Sequence, residues 1–434
     1  MKRFCLISSS LVAASAALAV PTIGNVEVAQ GADRVVRISY DLADGPAIVT
    51  FDVATNGVTL GDRAFDRAWG DVNALVTNET GRFTIKWLPP EDFPEDAIAG
   101  GGVTADVRAW SPDSPPDYIV FDMECKNTVN YYASVGRLPG GIGSATYRKE
   151  KLAMRKIPAA GVRWQMGAPS WQKGIVATNE TQRWVTLSED YYMAVFELTH
   201  GQYLRFRRVR SSNVPYPNQS DTTCSTNDVT DLDLFPVTYI KRGDWRGNSS
   251  DNAGYTWPSD GHAVQSGVYL ALLRQYTGFE FDFPTQAQWE YACRAGQSAA
   301  LYNGKELHVV SGADISLTNI AWCYYNLYNG EKKKAPVGLL EPNAWGLYDM
   351  LGNVWEFVLD RQNGPRPATA VTDPTGPSTG TSFRQVGGGF WQDSSYVRCA
   401  FSRGLVETSQ GTDYGFRLCC PVNKSWKFAV TPAE

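Results

Sequence analysis

The sequence predicts a chain with two folded parts, an antiparallel β-sandwich followed by a mixed α+β domain with few regular elements. Three observations carry this prediction. Short runs of β-forming residues alternate with turn residues over positions 26–124. Two helix patterns with clear end signals follow between residues 268 and 296, and most of the remainder is rich in Gly, Pro, Asn and aromatic residues. At 434 residues the chain also exceeds the size at which one hydrophobic core usually stops growing.

The β-sandwich prediction rests on the spacing of the β-type runs. They lie at residues 35–40, 47–53, 82–87, 103–110 and 118–121. Several short strands separated by turn signals are typical of immunoglobulin-like or fibronectin-like sandwiches. We assign residues 26–124 to this domain, 125–150 to a linker, and 151–425 to the second domain.

Two helices of the second domain can be placed from their ends. Thr285 and Gln288 form a T-x-x-Q capping box, and the helix that it starts is expected to end at Gly296. Apolar residues at helical spacing over 268–276 predict an earlier helix that ends before Gly278.

Composition and charge exclude some classes of function. The chain is 43% hydrophobic and 20% charged, with a net charge of -5. It therefore has no broad positive field for nucleic acid, and we interpret the arginine run over 205–210 as a solvated helix end. We exclude nucleic acid as a partner.

Residues 1–19 have the pattern of a secretory signal peptide. A basic start is followed by an apolar run over 4–18 and by Ala17-Leu18-Ala19. The run is shorter than the roughly 20 residues that span a bilayer, and no later stretch is apolar enough to do so. The sequence therefore predicts a secreted or periplasmic protein without a membrane span.

Cysteine usage fits an oxidising compartment. Without Cys5 of the signal peptide, seven cysteines remain, so at least one stays free or pairs between chains. We expect two or three structural disulfides. The seven are Cys125, Cys224, Cys293, Cys323, Cys399, Cys419 and Cys420.

Five sequence blocks identify a family. Residues 284–294 read PTQAQWEYACR, 319–322 read NIAW, 343–356 read NAWGLYDMLGNVWE, 387–391 read GGGFW, and 414–417 read YGFR. Together and in this order they resemble the formylglycine-generating enzyme family, also called the sulfatase-modifying factor family. The resemblance implies an α+β fold akin to C-type lectins. The preceding β-sandwich is similar to the small β domain found before this fold in secreted bacterial proteins.

The same resemblance places the oxidation site and shows a departure from it. Family enzymes bind one copper(I) ion through two cysteines that follow the glycine turn, and a soft ion needs such thiolates. Here the first position is Gln392, and the second is Ser394 or Val397. We therefore expect no copper site, no catalytic residue, and no oxidation of cysteine to formylglycine. The position of Cys399 resembles that of the family's structural cysteine, which implies a disulfide between Cys293 and Cys399.

The resemblance also implies a calcium site. Its ligands would be the side chains of Asp349 and Glu356 and the backbone carbonyls of Gly352 and Val354. Calcium accepts many oxygen ligands in flexible geometry, and a turn between two carboxylates can supply them.

A second family calcium site would use Asn319 and the carbonyl of Ile320. The loop over 326–334 that should complete it carries three lysines, Lys332 to Lys334. Because their charge opposes a cation, we expect this second site to be weaker than the first.

The histidines predict no metal centre. Related sulfoxide synthases bind iron through histidines on an additional helical domain, which this chain lacks. We interpret His200, His262 and His308 as surface or turn residues.

The aromatic fraction of 12% suggests a cleft near Gln392, lined by Trp391 and Tyr396. We expect a calcium-stabilised recognition module for a peptide or glycan, without oxidase activity and thus a pseudoenzyme. The alternative is a sulfatase-modifying oxidoreductase that generates formylglycine with another cysteine, or a different oxidation by a cysteine-less family member. The sequence leaves the oligomeric state open.

Overall fold

The structure is a computed structural model that describes residues 20–60, 67–89, 102–126, 128–176, 178–210, 232–239, 241–247 and 264–422. The signal peptide predicted at 1–19, Cys224 and His262 lie outside these residues.

Strands dominate the first part of the chain. Within the described part of residues 20–110 they are β1 (Thr22–Gln30), β2 (Val36–Ala43), β3 (Ala47–Thr55), β4 (Val58–Thr59), β5 (Ala68–Gly70), β6 (Ala74–Val76), β7 (Gly81–Trp87) and β8 (Val103–Trp110). One sheet has the order β1-β2-β7-β5, and the other has the order β4-β3-β6 with β8 paired to β3.

The two sheets share one hydrophobic core. Alternate residues of β2 are buried, so Val36, Ile38 and Tyr40 face inward, as the two-residue period of a strand requires. They belong to one cluster with Phe51 of β3 and Val107 of β8. A β-rich N-terminal region is thus present, with four of the predicted strands within three residues of their expected bounds. Its assignment to the immunoglobulin or fibronectin type stays a prediction.

The second part contains the remaining strands and four helices of the described residues. The strands are β9 (Tyr118–Asp122), β10 (Val129–Tyr132), β11 (Lys151–Ile157), β12 (Val162–Met166), β13 (Arg183–Leu187), β14 (Tyr191–Ala194), β15 (Ala321–Trp322), β16 (Leu351–Gly352), β17 (Trp355–Gln362), β18 (Val371–Thr372), β19 (Ser382–Val386), β20 (Ser402–Val406), β21 (Tyr414–Gly415) and β22 (Cys419–Pro421). The helices are α1 (His200–Arg210), α2 (Arg242–Arg246), α3 (Tyr269–Thr277) and α4 (Gln286–Arg294).

The central sheet of this part has the order β10-β9-β11-β14-β22. Strand β9, which the sequence assigns to the sandwich, pairs antiparallel with β11 instead. The segment 125–150, expected as a linker, contains β10 and a π-helical turn over Thr146–Glu150. The difference has a simple cause: β9 carries apolar side chains on both faces, and a strand buried on both faces suits a central sheet better than a sandwich edge.

The two predicted helices are present. Thr285 accepts from the amide of Gln288, and the Gln288 side chain accepts from the amide of Thr285, which completes the capping box of α4. Helix α4 ends at Arg294 and is followed by the left-handed cap residue Ala295, one position before the expected stop at Gly296. Helix α3 ends at the left-handed Gly278, as predicted.

A short parallel pairing positions the motif turn. Strands β15 and β16 pair at Ala321 with Leu351 and at Trp322 with Gly352. Gly352 has a φ of 81°, and a Cβ there would lie 2.2 Å from the carbonyl oxygen of Trp322. Only glycine fits this close approach, which brings the motif turn against β15.

Candidate functional site

The glycine turn over 387–389 precedes Gln392, which the sequence predicts at the position of the first family cysteine. Gly388 has a φ of 81°, and a Cβ there would lie 2.9 Å from Val397, so the turn packs tightly on the segment that follows it. The amide of Gln392 donates to the carbonyl of Gly389 at 2.9 Å, and its carbonyl accepts from the amide of Tyr324 at 3.0 Å. These two hydrogen bonds hold the backbone of Gln392, whose side chain is a carboxamide and not a thiolate.

The second cysteine position offers no sulfur either. Ser394 is buried and donates its hydroxyl to the carbonyl of Gly312 at 2.6 Å. Val397 is fully buried. Cys323 precedes Tyr324, which contacts Gln392, but burial raises the pKa of the Cys323 thiol. That thiol is therefore neutral near pH 7, so it is a poor substitute for a copper-binding thiolate.

The structure brings the predicted disulfide partners together. The sulfur atoms of Cys293 on α4 and Cys399 are 3.5 Å apart as thiols, and both side chains are buried. Burial and the neighbouring Cys399 thiol raise the pKa of Cys293 well above its ordinary value. The covalent bond stays a prediction.

Aromatic side chains are exposed beside Gln392. Trp391 is 44% exposed and Tyr396 is 39% exposed, although large aromatic residues are usually mostly buried. The ammonium of Lys332 lies 4.1 Å from the ring centre of Tyr324 and 5.7 Å from that of Trp391. We call Tyr324, Lys332, Trp391, Gln392 and Tyr396 the aromatic surface. Trp355, in contrast, is fully buried in the core.

The predicted calcium ligand Glu356 is held by a buried ion pair. Its Oε1 accepts from Arg417 Nε at 2.9 Å and from Nη2 at 2.7 Å. Its Oε2 accepts from Arg417 Nε at 2.8 Å and from Trp289 Nε1 at 2.7 Å. Each carboxylate oxygen therefore accepts two hydrogen bonds, so Glu356 in this arrangement does not fit the role of a calcium ligand.

Two further carboxylates lie near this pair. Asp349 accepts from the amide of Gly338 at 2.7 Å, and burial raises its pKa to about 6. Glu197 accepts from the Asn353 side chain at 2.7 Å and from the amide of Val354 at 3.2 Å. Burial, together with Asp349 and Glu356, holds the pKa of Glu197 well above its ordinary value. Three buried carboxylates thus share one fully buried guanidinium, that of Arg417.

The predicted calcium ion would add positive charge near Asp349, where the guanidiniums of Arg417 and Arg148 already act. An oxygen-rich, net negative turn suits calcium, and the carbonyls of Gly352 and Val354 belong to the same turn. Among the described residues, no group of three or more His, Cys, Asp or Glu side chains is placed to hold a metal ion. Any ion here would therefore depend on backbone carbonyls. Calcium stays a prediction, with Asp349 as its anionic ligand.

The structure gives hydrogen-bond partners to both residues of the second predicted calcium site, which stays a prediction. The Asn319 amide donates to Glu341 at 3.3 Å, and the carbonyl of Ile320 accepts from the Tyr302 hydroxyl at 2.9 Å. In the loop, Lys333 pairs with Glu331 at 3.4 Å. The Ile320 carbonyl thus already accepts one hydrogen bond, and the Asn319 side chain is oriented towards Glu341 through its Nδ2.

Sequence reasoning missed two members of the buried network. Arg417 stands in the block YGFR, but nothing in the sequence showed that its partner is Glu356, 61 residues earlier. Glu197 belongs to no recognisable motif. The sequence does contain one signal, because Glu197 interrupts the apolar run YYMAVFEL over 191–198. Such a run indicates burial, and a buried carboxylate needs a partner.

The fold and the site define a class of protein. The sequence pattern described as the sulfatase-modifying factor enzyme 1-like domain matches residues 148–421, which is more than half of the chain. The chain therefore belongs to the sulfatase-modifying factor family, whose named members include the formylglycine-generating enzymes.

Individual relatives agree with this assignment. The formylglycine-generating enzyme of Bos taurus is 30% identical over 145 residues, which cover 31% of this chain and 37% of the relative. That of Thermomonospora curvata is 36% identical over 144 residues, which cover 31% of this chain and 47% of the relative. The matched stretch thus spans less than half the length of these relatives.

Two solved structures are similar to the chain in part. Treponema denticola variable protein 1 matches with a TM-score of 0.46 and 20% identity, covering 64% of this chain and 97% of that one. PvdO from Pseudomonas aeruginosa matches with a TM-score of 0.45 and 20% identity, covering 62% and 94%. Within the described residues, no helix is both long and apolar enough to cross a membrane.

Proposed function

We propose that this chain is a non-oxidising member of its family that recognises a peptide or a glycan at the aromatic surface. The observation that carries the proposal is Gln392 at the first copper position, directly beside the exposed Trp391. The oxidation needs a soft metal held by thiolates, and the two positions that should supply them hold a carboxamide and either a hydroxyl or an isopropyl group.

The aromatic surface supplies binding in place of oxidation. Exposed indole and phenol rings stack on sugar faces and on peptide side chains. The Lys332 ammonium beside Tyr324 and Trp391 adds attraction for carboxylate groups of either ligand. The motif turn contacts the segment that precedes Trp391: the amide of Gly352 donates to the carbonyl of Gly387 at 2.9 Å, and the amide of Phe390 donates to the carbonyl of Asn353 at 2.8 Å.

Calcium enters the proposal as a stabilising ion. Asp349 and the carbonyls of Gly352 and Val354 would hold it, where it would supply positive charge to a cluster of three buried carboxylates. Burial raises the pKa of Asp349 to about 6, and a bound calcium ion would favour the ionised form of this carboxylate. We further propose that the protein acts outside the cytoplasm, because residues 1–19 have a signal-peptide pattern.

The first test asks for oxidation. Purified protein with copper(I), oxygen and a peptide containing Cys-x-Pro-x-Arg should form no aldehyde, whereas an active formylglycine-generating enzyme run in parallel should convert the peptide. Aldehyde formation at a comparable rate would overturn the proposal and favour the alternative oxidoreductase.

The second test asks for recognition. The protein is applied to a glycan array and a peptide array, and ligands found there are titrated in solution. Trp391→Ala should weaken binding by about fivefold or more, because stacking on an aromatic ring contributes about 1 kcal/mol or more. Trp184→Ala is a matched control, since Trp184 is also 44% exposed and carries the Arg163 guanidinium 4.7 Å from its ring centre. Equal binding by both variants, or no ligand on either array, contradicts the recognition function.

A further inference from the structure

A cavity of about 410 Å³ lies away from the aromatic surface. Strands β13, β17, β18 and β19 contribute to its walls, and the loop over 363–377 closes it. None of its lining residues belongs to the aromatic surface or to the buried network around Glu356. Its polar lining includes Arg183, Arg366, Arg384, Asp360, Gln286 and Asp373.

Three of these side chains are arginines, and two of them are almost completely buried. Arg366 is 6% exposed and Arg384 is 4% exposed. Both Nη atoms of Arg366 and the Nε atom of Arg183 are buried without a hydrogen-bond partner. Guanidinium groups withdrawn from water normally have anionic or carbonyl partners, so these donors indicate a partner that the chain does not itself supply.

The carboxylates near the cavity do not balance the arginines. Glu290 is the carboxylate beside Arg366, but its Oε2 lies 4.0 Å from Nη1, beyond hydrogen-bond distance. Its Oε1 is bound by Arg294 at 2.8 Å and by the amide of Gly167 at 2.8 Å. Asp360 accepts from the amide of Gln286 at 2.7 Å. The lining therefore holds three guanidiniums and two carboxylates, those of Asp360 and Asp373, so the cavity keeps one net positive charge.

The lowered pKa values of the three arginines agree with an excess of positive charge in the cavity. Burial lowers the pKa of Arg384 to about 10, and repulsion from Arg366 is the next cause. Burial also lowers the pKa of Arg366 and of Arg183. Like charges held together in a cavity destabilise the empty state, and a bound anion would relieve that repulsion.

The cavity wall is fixed before any ligand binds. The closing loop contains Pro365, Pro367, Pro374 and Pro377, and each proline restricts the backbone. Gly376 has a φ of 80°, and a Cβ there would lie 2.8 Å from the Cβ of Asp360. The loop therefore packs directly on Asp360, and a preorganised site loses little entropy on binding.

We propose that this cavity binds a tetrahedral oxyanion group, the dianionic phosphate or the monoanionic sulfate of a monoester of a small molecule. Planar guanidiniums donate pairs of hydrogen bonds that match the oxygens of such a group. The volume lies in the range of small-molecule sites, about 300 to 1,000 Å³, so it accommodates an organic part besides the anion.

The test measures thermal stability and calorimetric binding of the full chain at constant ionic strength. The probes are inorganic phosphate, inorganic sulfate, glucose 6-phosphate and glucose 6-sulfate, with chloride and glucose as blanks. We expect at least one ester to raise the Tm and to bind at least tenfold more tightly than its inorganic ion. A stronger response to the inorganic ion would show that the site binds the free anion, and it would contradict the proposal that the ligand is an ester. No response beyond chloride from any probe would overturn the site.

Substitutions test whether the ester binds in this cavity. Arg366→Gln and, separately, the less buried Arg183→Gln should each weaken the ester by tenfold or more, while the exposed Arg163→Gln should bind like the wild type. If both cavity variants retain wild-type affinity, the proposal fails, even where one of them is less stable.

Discussion

Glu356 and Arg417 form a buried, doubly hydrogen-bonded ion pair that links two family motifs 61 residues apart. Arg417 also donates to the carbonyls of Ala194 at 3.1 Å and Tyr348 at 2.9 Å. One guanidinium therefore joins the motif turn, strand β14 and the C-terminal segment. Such a residue stabilises the relative positions of elements that share little regular secondary structure.

Removing Arg417 should destabilise the fold strongly. Arg417→Met leaves the Glu356 carboxylate buried and unpaired, which costs about 3 to 5 kcal/mol in the free energy of unfolding. Urea unfolding of the full chain measures this loss. Arg37→Met, which breaks the exposed pair with Asp33, is the control and should change stability by less than about 1 kcal/mol. A loss at Arg417 no larger than that of the control would show that the pair is not needed for stability.

Calcium should stabilise the protein through Asp349. At a hundredfold excess over its dissociation constant, a bound ion adds about 2.7 kcal/mol, so chelation should lower the Tm. Asp349→Asn should abolish the difference between calcium and chelator. Glu356→Gln should instead lower the Tm in both conditions, because Arg417 loses its partner. If chelation leaves the wild-type Tm unchanged and the purified protein contains no calcium, Arg417 is the only cation that the turn needs.

The Cys293 and Cys399 thiols should be oxidised to a disulfide in protein made in an oxidising compartment. The bond would close a loop of about a hundred residues, which chain-entropy estimates value at about 4 to 5 kcal/mol. Peptide mapping without reduction should recover the two peptides joined, and Cys293→Ala should lower stability only under oxidising conditions. Recovery of both as free thiols from such protein would rule the bond out.

Stability should fall in acid partly through Asp314. Burial alone would raise its pKa, but hydrogen bonds from the amides of Val309 and Ser316 and from His308 lower it to about 2, below its ordinary value of 3.8. Its contribution is therefore complete above pH 4 or so and is lost as the pH falls towards 2. Asp314→Asn should be less stable than the wild type at pH 7 in urea unfolding, and the gap should narrow below pH 4. A gap that stays constant down to pH 2 would contradict the assigned titration.

Local signals in the sequence predicted local structure well. The capping box at Thr285 predicts the start of α4, and the strand at Val103–Trp110 has the expected bounds. These features depend on residues within one element, so their physics is visible in a short window. The family itself was predicted from ordered motifs, and the match over residues 148–421 confirms it.

Long-range partners could not be predicted in the same way. Three features of the structure join residues that are far apart in sequence. They are the pairing of β9 with β11, the ion pair of Glu356 with Arg417, and the cavity lined by Arg183, Arg366 and Arg384. Nothing in a charged residue's immediate sequence states which opposite or like charge the fold will place beside it. The predicted domain boundary at residue 124 separates β9 from β11, although the two strands pair in one sheet. The reason is the same, because strand propensity does not specify which strand a segment pairs with.

The five-stranded sheet sets a lower limit on the piece of this chain that can be produced alone. The family match begins at residue 148, but β9 and β10 lie before it and supply two strands of that sheet. A recombinant fragment cut at the match would leave one side of β11 with unpaired amides and carbonyls, and would uncover the buried faces that Ile119, Phe121 and Tyr131 now protect. Such an open edge invites association with other chains, so expression trials should start before residue 118 to avoid aggregation.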